Sequence, residues 1–348
     1  MRVAKAGSTL AEKTFTAPGG VGATIADQVS DDRLTRLFAD GSTLVLQALH
    51  RNWPAVLTFC QDLAAELGHP VQANAYITPP QNQGFSDHYD VHDVFVLQIE
   101  GEKRWVIHEP VLESPLRDQP WNDRRAAVER RAAEPPVIEA VLRPGDCLYL
   151  PRGFLHAAQA LGGVSTHLTI GVHVWTRYAL AERLVHQAVR TLAGDAGVRA
   201  SLPLGIEFSD GAVDDEMAAV KQSLIAAIEQ SDPAVLTAEL RATARGTSRA
   251  APIGPLAQFR AADRLAAESL VEVRAHLAAT VEPNRDGSAL LRSRADDLRL
   301  HADDVTATEA LLVRGSMTAS ELGLDLARRL VLAGVAVVSE RHTGTAPD

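Results

Sequence analysis

The hydrophobic pattern of the sequence changes near residue 176, and this change constrains the fold more than any other feature. Before it lie short apolar runs separated by Gly and Pro, the pattern of strands joined by tight turns. After it come long Ala/Leu/Arg-rich stretches with helical periodicity. We therefore expect a β-rich domain over residues 1–175, followed by helical units.

The β-rich part contains six predicted strands and one predicted helix. The strands are Val71–Thr78, Asp93–Glu100, Lys103–His108, Val137–Leu142, Cys147–Leu150 and Thr166–Val174. Turn residues at Glu100–Glu102 and Arg143–Asp146 predict two hairpins. The helix spans Pro54–Leu67, with Pro near its start and Gly68 at its C-terminal cap. So many short strands in sequence favour a sandwich or a barrel.

A Pro-rich stretch of mixed charge, residues 110–136, interrupts the rhythm of the strands. It is predicted to be a long surface excursion. Such insertions either shape access to a site or serve as plain connectors, and the sequence leaves both interpretations open.

Two further units are predicted beyond residue 176. The helical unit, 176–250, contains predicted helices at Arg177–Leu192, Asp215–Gln230 and Pro233–Thr243, the last with Asp232 as its N-cap. Gly246–Pro255 has the composition of a linker. The last unit, 256–348, contains predicted helices near Ala307–Val313 and Ser320–Ala333 and a β-prone Val335–Ser339. This order fits a small winged-helix-like domain.

Composition narrows the classes of function. The chain has 34 Lys+Arg against 44 Asp+Glu, and a net charge of -10 disfavours phosphate backbones and anionic lipid. Cys60 and Cys147 are its two cysteines and form neither a disulfide framework nor a zinc knuckle. No apolar run is long enough to span a bilayer, and no signal peptide is recognisable. We expect a cytoplasmic protein.

A candidate metal-binding pair occurs at His88 and Asp90. Side chains two residues apart on a strand point to the same face and can reach one ion. The same His-x-Asp pattern recurs at His301–Asp303 in a charged, helical region, so the pattern alone carries little weight. His92 is too far along an extended strand to complete a local site with His88. A third ligand must therefore come from elsewhere in the sequence.

His156 is the favoured third ligand because a turn, a short apolar strand and a Pro-Arg-Gly corner precede it, over Gly145–His156. The other candidates are His108, His167 and His173. Two histidines and one carboxylate leave three positions of an octahedral ion open, as in non-haem Fe(II) oxygenases. From the residues alone, the alternative stays open that these are core or surface histidines satisfied by hydrogen bonds.

Two segments resemble a known family. Asn74–Trp105, with Asn-Ala-Tyr-Ile-Thr-Pro-Pro, His-Tyr-Asp and Gly-Glu-Lys-Arg-Trp, and Gly145–Thr169, with Pro-Arg-Gly-Phe-Leu-His, resemble the JmjC-type ribosomal oxygenases of the cupin superfamily. The resemblance implies an α+β protein in which a JmjC/cupin double-stranded β-helix barrel precedes an α-helical dimerisation domain and a C-terminal winged-helix-like domain. The stretch ahead of Val71 is shorter than the family usually has.

The resemblance also implies roles for individual residues. Fe(II) would be ligated by His88, Asp90 and His156. Lys103 would pair with the distal carboxylate of 2-oxoglutarate, although the residues alone favour a solvated hairpin lysine. Further co-substrate contacts would come from the hydroxyl groups of Tyr76 and Thr169. Asn74, on the same predicted strand face as Tyr76, is a weaker candidate for orienting polar contacts near the metal.

The implied activity is hydroxylation of a protein side chain with 2-oxoglutarate and O2. Lys103 resembles the histidyl-hydroxylating branch, so a histidine of a ribosomal protein is the expected target, and the acidic chain suits a basic partner. A homodimer is also implied. Alternatives are an arginyl or peptide-precursor hydroxylase, a non-oxygenase metal-binding cupin, or a winged-helix regulatory module. Residues 256–348 hold 14 Asp+Glu against 11 Arg and no Lys, so direct nucleic-acid binding is not expected.

Overall fold

The computed structural model describes residues 1–206 and 211–339. These residues form two compact units, Met1–Val174 together with the chain from Ser248 onward, and Trp175–Thr247. No helix in these ranges is both long and apolar enough to cross a membrane.

One antiparallel sheet dominates the first unit. Its strands are β1 (Arg2–Lys5), β2 (Ser8–Thr9), β5 (Thr43–Leu46), β6 (Val71–Thr78), β7 (Asp93–His108), β8 (Ile138–Leu142), β9 (Cys147–Leu150) and β10 (Leu155–Val172). They follow the order β2-β1-β5-β6-β10-β7-β8, and β9 pairs with β7. A separate two-stranded sheet joins β3 (Thr16–Ala17) and β4 (Gln28–Val29). Residues 2–46 supply three strands of the main sheet, β1, β2 and β5.

The helices of this part are α1 (Asp31–Ala39), α2 (Leu49–Asn52), α3 (Pro54–Leu67) and α4 (Arg125–Ala132), with 3-10 turns at Glu12–Thr14 and Trp121–Arg124. Helix α3 has the bounds predicted from its sequence. Pro54 occupies its first turn, and Gly68 ends it with a φ of 68°. Its Cys60 packs on Ala73 and Ile170 of the sheet.

The hairpin predicted at Glu100–Glu102 is wrong, because β7 continues through this segment. Its two halves both pair with β10, and the extra residues are a bulge in β10 between Leu161 and Thr166. Gly101 has a φ of 64°, and a Cβ there would lie 2.1 Å from the carbonyl oxygen of Val164. The glycine is therefore required by a close backbone approach and not by a chain reversal.

The hairpin predicted at Arg143–Asp146 is also wrong. The turn exists, since the amide of Asp146 donates to the carbonyl of Arg143 at 2.9 Å. However, β8 pairs with Lys103–Ile107 and β9 pairs with Val94–Leu97, so both strands lie on the same edge of β7. The turn therefore connects two strands, β8 and β9, that follow each other along the same edge of β7.

The second unit consists of α5 (Arg177–Leu192), α6 (Asp214–Glu229) and α7 (Pro233–Thr247). These agree with the predicted helices to within one residue at each end, except that α7 runs four residues further. The predicted N-cap of α7 is present, because the Asp232 carboxylate accepts from the amide of Ala234 at 2.8 Å. Only Ala188 and Ala227 of these helices are fully buried.

Residues 248–339 pack around a core of their own. The helices are α8 (Pro255–Asp263), α9 (Ala302–Arg314), α10 (Ala319–Leu322) and α11 (Leu324–Leu332). The strands are β11 (Leu270–Val273), β12 (Thr280–Pro283), β13 (Ala289–Arg292), β14 (Leu298–Leu300), β15 (Ser316–Thr318) and β16 (Ala336–Val338), in the sheets β15-β11-β16 and β12-β13-β14. The one helix predicted at Ser320–Ala333 is two helices, because Gly323 has a φ of 85°. The winged-helix-like assignment stays a prediction, and its residues 340–348 lie outside the described residues.

Candidate metal centre

His88 and His156 face each other across a short backbone ladder. His88 lies in the connection between β6 and β7, and His156 is the second residue of β10. The amide of His156 donates to the carbonyl of His88 at 2.8 Å, and the reverse hydrogen bond is 3.3 Å long. Because directly opposed residues of an antiparallel pair project to the same side, this ladder brings the two imidazoles together.

Asp90 completes a cluster of three donors. One ligand atom from each of His88, Asp90 and His156 lies within 4.8 Å of the other two. Nδ1 of His88 is 2.7 Å from the carbonyl oxygen of Ser86, and Nδ1 of His156 is 3.1 Å from that of Phe154. With Nδ1–H donated to a carbonyl, Nε2 is left as the free lone pair in each ring. Nε2 of His156 lies 3.7 Å from a carboxylate oxygen of Asp90.

The protonation states suit a divalent cation. Burial, together with the charge of His88, lowers the pKa of His156 to about 4, so this imidazole is neutral at pH 7. Burial alone would raise the pKa of Asp90, but the adjacent His156 and His88 outweigh it and hold that pKa below its ordinary value. Two imidazoles and one carboxylate are the donor set of open non-haem Fe(II) sites. The residues therefore fit the metal that the sequence predicts.

The cluster opens into a cavity of about 360 Å³. This volume is in the range of small-molecule sites. The cavity is lined by the three donors and by Tyr76, Lys103, Thr169, Thr78, Thr43, His167, Trp105, Phe85, Trp121 and Arg2, among others. The structure thus brings the three predicted ligands and three of the four predicted co-substrate residues into one cavity.

Lys103 is a buried lysine inside this cavity and not the solvated lysine of a hairpin. Its side chain is 3% exposed, and Nζ lies 3.0 Å from Oγ1 of Thr78 and 3.2 Å from Nδ1 of His167. Within residues 1–206 and 211–339, no carboxylate forms an ion pair with it. Burial lowers the pKa of Lys103 to about 7. An anion entering the cavity would find an uncompensated cation.

Tyr76 and Thr169 line the cavity as predicted, whereas Asn74 does not appear on its wall. Tyr76 stacks on His167 with ring centroids 4.9 Å apart, and burial raises its pKa to about 12. Asn74 instead accepts a hydrogen bond at 3.0 Å from the amide of Ala48. The side chain of Asn74 therefore orders the loop after β5, and the predicted role near the metal is not supported by its position.

Several lining residues escaped the sequence analysis. His167, one of the candidate third ligands, is buried beside Lys103 and is not among the three clustered donors. His167 and Thr169 are two residues apart on one strand, and this spacing indicates that their side chains share a face. Thr43 and Thr78 share a hydrogen bond at 3.2 Å from adjacent strands, and Arg2 comes from β1, the second strand of the sheet. Their convergence depends on long-range strand pairing, which the sequence pattern does not encode locally.

The excursion 110–136 contributes to the cavity wall. Trp121 lies with its ring centroid 6.4 Å from that of His88 and is a lining residue. Val128 of α4 packs against Tyr89, whose hydroxyl donates to the carbonyl of Gln119 at 2.9 Å. The excursion is therefore anchored to the residue between two predicted ligands, which favours the interpretation that it shapes access.

Comparison with known proteins agrees with this geometry. Residues 50–180 match the JmjC domain family. Human ribosomal oxygenase 1 is 35% identical over 182 residues, which are 52% of this chain and 27% of that protein. The bifunctional lysine-specific demethylase and histidyl-hydroxylase NO66 of Drosophila persimilis is 38% identical over 163 residues, 46% of this chain and 23% of that protein. The chain thus spans about a quarter of the length of these curated relatives.

The fold extends the similarity along the chain. An X-ray structure of Escherichia coli YcfD covers 97% of this chain and 86% of its own, with a TM-score of 0.53 and 17% identity. At this identity the likeness concerns the fold. Residues 50–180 of the chain therefore carry a JmjC domain. The resemblance to the JmjC-type ribosomal oxygenases predicted from the sequence is confirmed.

Proposed function

We propose that this protein is an Fe(II)- and 2-oxoglutarate-dependent oxygenase that hydroxylates a histidine side chain of a ribosomal protein. The observation that carries the proposal is the buried Lys103, which has no carboxylate partner among the described residues and shares a cavity with His88, Asp90 and His156. A cavity with three metal donors at one place and an unpaired cation at another suits a dicarboxylate that chelates a metal through its keto-acid end.

His88, Asp90 and His156 would hold the metal. Bound Fe(II), with O2, supplies the oxidation in which 2-oxoglutarate loses CO2 to give succinate and one oxygen atom is inserted into a substrate C–H bond. The Nδ1 hydrogen bonds to Ser86 and Phe154 fix the tautomer and the ring orientation of both histidines. The protein therefore contributes three donors in a fixed arrangement, which leave the other coordination positions of the metal open.

Lys103 would bind the distal carboxylate of the co-substrate and gain a full charge in doing so. Thr78 holds Nζ in place at 3.0 Å, and the hydroxyls of Tyr76 and Thr169 offer further polar contacts on the cavity wall. Binding an anion restores the ordinary pKa of a lysine, since an opposite charge favours its protonated form. Binding and proton uptake are therefore coupled at this residue.

The proposed target residue and partner are supported by the relatives and by the charge of the chain. Relatives carry the names ribosomal oxygenase 1 and histidyl-hydroxylase. The aromatic rings of Phe85 and Trp121 lie beside His88 and offer flat walls for a planar side chain. A net charge of -10 favours encounter with basic proteins.

The test combines a turnover assay with mass measurement. Anaerobic loading with Fe(II), addition of 2-oxoglutarate and O2, and measurement of succinate should give turnover that Lys103→Met abolishes. Intact-mass analysis of ribosomal proteins from cells with and without the gene should show one oxygen lost in the deletion. If the protein neither binds 2-oxoglutarate nor releases succinate, the metal-binding cupin alternative gains support. If turnover occurs but all ribosomal masses are unchanged, the substrate is not a ribosomal protein, and small peptides or secondary-metabolite precursors are tested next.

We also propose that the helices of the second unit form a homodimer. Apolar side chains stay exposed along α5 and α6, among them Tyr178, Val185, Val189, Val220 and Ile225. A patch of this kind on a protein surface marks an interaction site. Light scattering after gel filtration should give twice the chain mass, and Val189→Glu should reduce it to one chain.

A further inference from the structure

Arg2 is a cavity-lining cation that the chemistry proposed above leaves without a role. It lies on β1, the second strand of the main sheet, where it pairs with Val45, and Val45 pairs with Tyr76 of β6. Residues directly opposite each other in antiparallel strands share a face. Arg2 and Tyr76 therefore lie in one row of inward-facing positions, and the pairing of their strands fixes their separation.

The guanidinium of Arg2 has donors to offer. Its Nε is buried, and within the described residues no acceptor hydrogen-bonds to it. Its Cζ lies 5.9 Å from the centroid of Phe85, whose ring also neighbours His88. A buried donor without a partner costs free energy unless a ligand satisfies it.

The position of Arg2 indicates which ligand it faces. The guanidinium neighbours Phe85, and the centroid of the Phe85 ring lies 5.9 Å from that of His88. Arg2 therefore lies on a part of the cavity wall that neighbours a metal ligand. The substrate group to be oxidised must come to the metal, so the cation beside the metal ligands faces the substrate.

The hairpin that carries Arg2 is fixed against the metal-ligand loop. The turn between β1 and β2 docks through the amide of Gly7, which donates to the carbonyl of Gly84 at 3.1 Å. Gly7 has a φ of 84°, a conformation that favours glycine, and a Cβ there would displace the hydroxyl of Ser86. Arg2 is held by a rigid element, as a residue that orients a substrate should be.

We infer that Arg2 is a substrate-contacting specificity residue: its guanidinium donates to a backbone carbonyl oxygen of the bound peptide next to the target residue, and its charge disfavours cationic target side chains. This inference rests on the proposed function and names its substrate class as peptides with a neutral target side chain. Arginine and lysine targets would bring a second cation beside Arg2 and meet like-charge repulsion.

The test uses two probes, acetyl-Gly-Gly-His-Gly-Gly-amide and its Arg counterpart, at pH 8. With Mn(II) in the triad and 2-oxoglutarate present, paramagnetic relaxation of the probe's side-chain protons measures binding near the metal. The variants are Arg2→Gln and Arg2→Lys. The matched control is Lys5→Gln, which removes a charge from the same strand outside the cavity lining.

The wild-type protein should bind the His probe at least about tenfold more tightly than the Arg probe. Arg2→Gln should weaken the His probe about tenfold or more and reduce the preference, because a charged hydrogen bond is lost. Arg2→Lys should retain the preference, and Lys5→Gln should change nothing. Affinities for Mn(II) and 2-oxoglutarate should stay the same in all variants.

Three results would overturn the inference. One is an Arg2→Gln variant with unchanged peptide affinities. Another is an Arg2→Gln or Arg2→Lys variant with weakened 2-oxoglutarate binding, which would assign Arg2 to the co-substrate. The third is a wild-type protein that binds Mn(II) and 2-oxoglutarate but neither probe, which would reject the peptide class while the oxygenase proposal stands. Failure of the wild-type protein to bind Mn(II) and 2-oxoglutarate would instead refute the proposed function.

Discussion

Replacing Lys103 with methionine should make the ligand-free protein more stable while removing its binding of 2-oxoglutarate. Burial lowers the pKa of Lys103 from 10.5 to about 7. In the unfolded chain the lysine is protonated at pH 7, and in the folded chain only about half of the molecules carry the proton. The difference in proton affinity makes this residue cost about 4 kcal/mol of folding free energy at pH 7.

The sign of the pH dependence follows from this lowered pKa. Between pH 7 and 10.5 the unfolded state binds more protons than the folded state, so the free energy of unfolding rises with pH in this window. Below about pH 7 both states are protonated and the full cost persists. Lys103→Met should remove the slope. Lost contacts to Thr78 and His167 offset part of the gain, by about 1–2 kcal/mol.

Urea denaturation at pH 7, 8 and 9.5 measures this effect. Trp53, Trp105 and Trp121 lie in the JmjC domain, so tryptophan fluorescence reports mainly on its unfolding. The variant should be about 2–3 kcal/mol more stable than the wild-type protein at pH 7, and the difference should shrink at pH 9.5. Lys221→Met, at an exposed position of α6, is the control and should leave the slope unchanged.

A variant that is less stable than the wild-type protein at pH 7, with an unaltered pH slope, would refute the argument. It would mean that Lys103 is charged and well solvated in the folded chain. Retained binding of 2-oxoglutarate by Lys103→Met, measured by calorimetry with Mn(II), would refute the second half of the reasoning, in which this lysine is the anion's partner.

Three other predictions concern the same domain. Binding of 2-oxoglutarate at pH 7 should take up about half a proton per site, because the anion raises the pKa of Lys103 from about 7. Calorimetry in buffers of different ionisation enthalpy measures this proton uptake, and an uptake of zero would contradict the prediction. Asp90→Asn should weaken Mn(II) binding at least about a hundredfold, since it removes the only anionic donor of the cluster, while the circular dichroism spectrum stays unchanged. Equal Mn(II) affinities of the variant and the wild-type protein in titrations would exclude Asp90 as a ligand. Gly101→Ala should destabilise the domain by at least about 2 kcal/mol in urea denaturation, because its φ is positive and its Cβ would collide with Val164. The control is Gly163→Ala, where an added Cβ meets no neighbouring atom. Equal stabilities of the two variants would show that the strands can separate at Gly101 at little cost.

Local signals in the sequence predicted part of this structure well. Helix α3 could be bounded because Pro54 and Gly68 each have one dominant structural meaning at a helix end. His156 could be singled out because the Pro-Arg-Gly corner before it limits where the chain can go. The amphipathic helices α5 and α7 were found from periodicity that needs no partner.

Signals that depend on distant pairing were misread or missed. Gly101 looks like a turn residue, yet it permits a close approach by β10, and the difference appears only when β10 is in place. The same error made Lys103 look solvated, because a hairpin end is exposed whereas the middle of β7 is buried. Strands β11 to β14 have only three or four residues each, too few for alternation to show.

The ladder between His88 and His156 also bears on how the domain holds together. Two backbone hydrogen bonds connect residues that are far apart in the chain, and on the His88 side they belong to no regular strand. An ion bound by both side chains would therefore cross-link the two segments and close the long loop of chain between them. The metal would then stabilise the contact between these two segments, and its loss would first loosen the segment around His88.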